Sequence, residues 1–155
     1  MTREEILKAL KKYFDIRELV CPDVFKQFGE TAWMFFTTEA LHTLLILRAE
    51  ILKVPLVCNN WSSGGQLTQR GLRCNLCELI KSKTLAGKLA MSAHHNGFAF
   101  DLSSPQMSAE EMRQRIRDNW RKLPYQIRIE SGVSWLHFDC YYDRKNDEMI
   151  RFFKV

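Results

Sequence analysis

The chain has four histidines, and three of them fall in two short segments. His94 and His95 stand in Ser92-Ala93-His94-His95-Asn96-Gly97-Phe98-Ala99-Phe100-Asp101, and His137 stands in Ser134-Trp135-Leu136-His137-Phe138-Asp139. Imidazoles and carboxylates gathered in this way suit a metal. A catalytic zinc ion takes three protein ligands of the His, Asp or Glu kind and keeps a fourth position open. Gly97 lies between His94 and Asp101, so the chain can fold back there and aim both side chains at one ion, with small Ala99 leaving room for packing. The plainer alternative makes His94 and His95 ordinary loop histidines and Asp101 a cap, a standing risk with short motifs. The pairing of two such segments weighs against it.

The elements that must position these residues can be read from caps and periodicity. Thr2 and Glu5 have capping-box spacing, so a first helix is expected over residues 2–14, with Gly29 a stop for the stretch that follows. Leu41, Leu44, Leu45, Ile51 and Leu52 recur at helical spacing and predict a core-facing helix over 38–52. His42 lies in that helix, and nothing nearby recruits it as a ligand. Residues 54–58 read as a short buried strand and 61–72 as a loop. Residues 74–83 read as a helix, and 89–101 as extended with a tight passage at Gly97. Ser108 and Glu111 form a second capping box, opening a helix that stops before Pro124. Residues 125–130 and 134–142 alternate like two strands around a turn at Ser131-Gly132, which sets His137 on a strand. Helices first and strands later predict an α+β fold with a small antiparallel sheet and helices packed on one side.

The first segment matches, at Ser92, His94, Gly97, Ala99 and Asp101, the S-x-H-x-x-G-x-A-x-D signature of the zinc D-alanyl-D-alanine peptidases. The second resembles the W-x-H segment of that family, whose fold is shared with the hedgehog signalling domain. The resemblance implies zinc held by His94, Asp101 and His137, with His137 on a strand beside the first two ligands. It runs loosely over most of the chain and implies hydrolysis of a peptide bond in peptidoglycan, by a carboxypeptidase or an L-alanyl-D-glutamate endopeptidase. In that chemistry zinc acidifies a water and polarises the carbonyl while a carboxylate accepts the proton.

The family also carries an arginine, in a loop after the early strand, that holds the substrate's carbonyl or carboxylate. Here the candidates are Arg70 and Arg73. Arg70 is preferred because its spacing to Asn75 is similar to the family's, and a guanidinium fork suits a carboxylate or developing oxyanion. Ser92 and Trp135 are the other candidates for substrate contact. Trp61 too could line a groove, although aromatics beside a metal strand are more often core. The carboxypeptidase branch keeps its acidic base at the position that here is Ser134, which cannot serve. Glu130 stands close to where the hedgehog-like branch keeps a glutamate and is the expected base. Asp139, two residues beyond His137 and on the same side of a strand, competes with it. The better reading of Asp139 is a carboxylate that orients a ligand.

Composition bounds the rest. A chain of 155 residues, 46% of them hydrophobic, is the size of one domain with a real core, and residues 1–155 are read as a single zinc peptidase domain. The net charge of +5 could favour nucleic acid or an acidic wall polymer. No basic run is interleaved with aromatics, so nucleic acid is not the expected partner. Residues 6–14 are broken by lysines and the longest apolar run, 44–47, is too short for a bilayer. The expectation is therefore a protein made in the cytoplasm with no membrane span, reaching the wall by release or carriage, as a bacteriophage lysis or entry enzyme would. The five cysteines are expected as reduced thiols. Cys74 and Cys77 are read as two buried helical thiols, because a second ligand pair is absent. The alternative function is a catalytically silent metal-binding domain, suggested by Ser134.

Overall fold

The computed structural model describes residues 1–141 and 147–155. Its α-helices are α1 (Arg3–Leu10), α2 (Pro22–Phe28), α3 (Thr38–Ile46), α4 (Glu78–Leu85) and α5 (Ala109–Asp118), and its strands are β1 (Ala99–Leu102), β2 (Ile127–Glu130), β3 (Leu136–Asp139) and β4 (Ile150–Phe153). The reciprocal capping boxes of Thr2 with Glu5 and Ser108 with Glu111 start α1 and α5. Gly29, at φ +52°, ends α2. Beyond Ile46 the third helix widens into π-helical turns over Leu47–Leu52 and stops at Lys53, which is left-handed at φ 58°. Arg115 of α5 donates to the Leu52 carbonyl and so satisfies an acceptor at that helix end.

The sheet runs β1-β3-β2-β4. β3 pairs antiparallel with both β1 and β2, but β4 joins β2 in parallel, so the sheet is mixed where an antiparallel one was expected. The parallel pair arises from β4, a strand that residues 125–142 alone do not announce. Strand alternation gives the sheet two unlike faces. Phe100, Leu102, Ile127, Ile129, Leu136 and Phe138 share the apolar face and are buried. Phe36 stacks on Phe100 at 5.1 Å, and Arg117 of α5 lies 4.2 Å over the Phe152 ring, so the helical layer covers this face. The opposite face carries Asp101, His137, Asp139, Arg128 and Glu130, and it is here that the chemistry sits.

Three local expectations change. Residues 54–58 form no strand: Val57 makes one isolated bridge to Ser103, because Pro55 has no amide to extend a ladder. The helix expected over 74–83 begins only at Glu78, with Cys77 as its N-cap, so Cys74 and Cys77 lie in a turn and at a cap. Residues 89–101 are not extended throughout. The Ser92 hydroxyl accepts the His95 amide, the Ser92 carbonyl accepts the His95 and Asn96 amides, and the resulting turn leads through Gly97 into β1. Gly97 has φ +74°, and a Cβ there would overlap the Phe35 carbonyl, so glycine is required twice over. The expected strand 134–142 is seen as β3, and its last residue lies outside the described residues.

Candidate metal centre

Asp101 of β1 and His137 of β3 are direct partners in the antiparallel register, which puts their side chains side by side on the polar face. His94 reaches the same point from the turn before Gly97. The three residues are buried and offer ligand atoms that all lie within 4.8 Å of one another, so the group could hold a metal ion. His94 Nε2 stands 3.3 Å from His137 Nδ1 and 3.3 Å from Asp101 Oδ2, and His137 Nδ1 stands 2.7 Å from Asp101 Oδ1. Donors at about 2.0 to 2.1 Å from one tetrahedral ion would be separated by roughly 3.3 Å. The donor set therefore fits a small divalent cation with little movement.

The rear of each imidazole is engaged as a ligand's should be. His94 Nδ1 lies 2.9 Å from the Gly71 carbonyl, which can only accept, so the proton is on Nδ1 and Nε2 presents its lone pair. A Cβ on Gly71 would overlap the Leu19 carbonyl, so only glycine brings that acceptor so close to the N-terminal layer. His137 Nε2 lies 2.9 Å from Asp139 Oδ2, a carboxylate that fixes the ring and makes it a stronger donor. Asp139 is held in turn by the Arg128 fork, at 2.8 and 3.0 Å, and by the Tyr141 amide.

Charge is distributed to match. Burial pushes His94 down, leaving a neutral imidazole despite its contact with Asp101. Burial alone would also lower His137, but hydrogen bonds to Asp101 and Asp139 outweigh it and raise His137 to about 9. Burial works to raise Asp101, and the hydrogen bond from His137 overcomes it and holds the carboxyl well below the usual range. The site thus stabilises positive charge between two carboxylates, and a divalent ion could replace the His137 proton.

A cleft of about 430 Å³ opens over the three residues and is lined also by Arg73, Glu130 and Trp135. Ser92 and Asp139 line it as well. A second cleft of about 530 Å³ is lined by Arg70, Ser103 and Ser134 and shares Arg73, Asp101 and Trp135 with the first. Arg73 touches the metal group directly, with Nη2 3.3 Å from Asp101 Oδ2 and Nε on the Gln69 carbonyl. Arg70 lies in the second cleft, with Nη1 on the Ser103 hydroxyl, and its carbonyl accepts the Asp101 amide. His95 turns away to the Arg73 carbonyl, His42 packs edge-on against Tyr125, and Trp61 donates to the Val20 carbonyl.

Residues that sequence reasoning passed over also serve the site. Arg113 of α5 is buried and donates to the carbonyls of Glu130, Val133 and Trp135, bracing the turn between β2 and β3. Tyr141 donates to the Met91 carbonyl and accepts from Asn96, tying the His94 turn to the end of β3. Cys21, far from the other two in sequence, joins Cys74 and Cys77 in a second group. No protein family, no curated protein and no solved structure matches this chain.

Proposed function

We propose that this chain is a zinc peptidase that hydrolyses a peptide bond in peptidoglycan stem peptides. The observation that carries the reading is the convergence of His94 Nε2, Asp101 and His137 Nδ1 at the floor of a cleft, with both imidazoles oriented from behind. The similarity of both segments to the zinc D-alanyl-D-alanine peptidases supplies the substrate class and the hedgehog-like fold. Zinc bound by these residues would supply Lewis acidity toward the scissile carbonyl and acidify a water. Glu130 shares the cleft and accepts the proton as general base. Arg70 holds the substrate's carbonyl or carboxylate, and Arg73 keeps Asp101 in place while facing the same groove. Ser92 and Trp135 form the walls, and Asp139 orients His137. A phage lysis or entry enzyme, synthesised in the cytoplasm and carried or released to the wall, is the setting that suits this activity.

The test is digestion of purified peptidoglycan with the zinc-loaded chain, its products identified by mass spectrometry. Turnover should vanish in His137→Ala and fall by about 10²- to 10⁴-fold in Glu130→Gln, the usual range for a general base. The fragment released names the bond. The alternative, a silent metal-binding domain, is favoured by Ser134 standing where the carboxypeptidase branch keeps its acid. Retained zinc without hydrolysis, unchanged by Glu130→Gln, would select it.

A further inference from the structure

Cys21, Cys74 and Cys77 come from two stretches of chain far apart in sequence, yet their sulfurs all lie within 4.8 Å of one another. Cys21 Sγ is 3.5 Å from Cys74 Sγ, and Cys74 Sγ is 3.9 Å from Cys77 Sγ. Thiolates at about 2.3 Å from a tetrahedral zinc ion are separated by roughly 3.8 Å, so the triangle already has the dimensions of three corners of such a site. We propose that these three cysteines form a second metal site, a zinc-thiolate centre that is independent of His94, Asp101 and His137. Among the described residues no fourth His, Cys, Asp or Glu joins the group. Cys74 and His95 line a cleft of about 290 Å³, through which solvent supplies the fourth ligand.

Zinc binding by the three thiols releases their protons to solvent. One further observation agrees with a metal rather than three packed thiols: the group sits where a clamp has a use. Leu72 donates to the Leu19 carbonyl and forms a parallel bridge with Val20, next to Cys21. Leu72 is flanked by Gly71, whose carbonyl orients His94, and by Arg73, which holds Asp101 and leads into Cys74. A metal on the three sulfurs would pin that loop to the start of α2.

The test uses the full chain without a histidine tag, loaded with cobalt(II). A thiolate centre gives a sulfur-to-cobalt charge-transfer band in the near ultraviolet, which the His94, Asp101 and His137 group cannot produce. The band should appear in wild type, persist in His137→Ala and disappear in Cys74→Ser, with one metal equivalent lost in each variant. If only the peptidase site fails, the band remains and His137→Ala loses no metal. Alkylation of the native chain needs no variant: Cys21, Cys74 and Cys77 should be protected until a chelator is added. A cobalt-loaded wild type without the band, or alkylation at one rate with and without chelator, overturns the proposal.

Discussion

Asp139 acts on the candidate metal group through His137 rather than as one of its members. It is almost fully buried, binds His137 Nε2 at 2.9 Å and is neutralised by Arg128. Asp139→Asn keeps the size but weakens the hold on the ring, and zinc affinity should fall by about 10- to 100-fold in a chelator competition, with the fold retained. Cys140 offers a pH signature of a different kind. Burial, against a smaller opposing contact from Thr43, pushes this thiol up from 9.0 to about 12. The unfolded chain ionises it first, so its contribution to stability is complete below pH 9.0 and is lost as the pH rises toward 12. The melting temperature should fall across that window, and Cys140→Ala should flatten part of the slope. At this scale the sequence was most readable: the resemblance of two short segments to the zinc D-alanyl-D-alanine peptidases put His94, Asp101 and His137 forward as one group. It could not show that the Arg73 guanidinium rather than that of Arg70 reaches the Asp101 carboxylate, because both stand in the short run Arg70-Gly71-Leu72-Arg73 and only its turn decides which side chain points there. Nor could it add Cys21 to Cys74 and Cys77, since that contact is made by the Leu72–Val20 bridge.

Among the elements, α5 does more than cover the sheet. Its capping box fixes where it starts, its Met112 and Ile116 face the core, and its buried Arg113 gathers three carbonyls from the turn before β3. Arg113→Met leaves those acceptors unpaired, and denaturant unfolding should show a loss of about 2 to 4 kcal/mol, in the range of charged hydrogen bonds removed from a buried site. The variant should also loosen His137, which follows that turn directly. Caps and alternation made α1, α5, β2 and β3 legible, because their signals are local. The missing strand at Val57 and the added strand β4 were not, since the N–H that Pro55 lacks and a parallel partner outside the hairpin decide them. The end of α3 was readable to Leu52 in length but not in its π-helical winding, which leaves the apolar spacing intact.

The whole molecule is one contiguous apolar core with a polar sheet face set on it. His94, Asp101 and His137 lie outside that core, so a metal bound by them would add to a fold that the apolar core holds together. Chelation should therefore lower the melting temperature by a few degrees, as withdrawal of a ligand from the folded state does, while far-ultraviolet circular dichroism keeps its folded shape. Collapse of the spectrum on chelation would mean that the metal builds the fold. Among the described residues no helix is long and apolar enough to cross a membrane. The α+β class was legible from the order of patterns along the chain, whereas the mixed topology depended on where the last strand pairs.

The most direct test of the central claim is an anomalous difference map from crystals of the zinc-loaded chain, recorded at the zinc absorption edge. The account predicts a peak within coordination distance of His94 Nε2, the Asp101 carboxylate and His137 Nδ1, facing the cleft that Glu130 lines. A map from fully loaded crystals with no peak at those three atoms would contradict it.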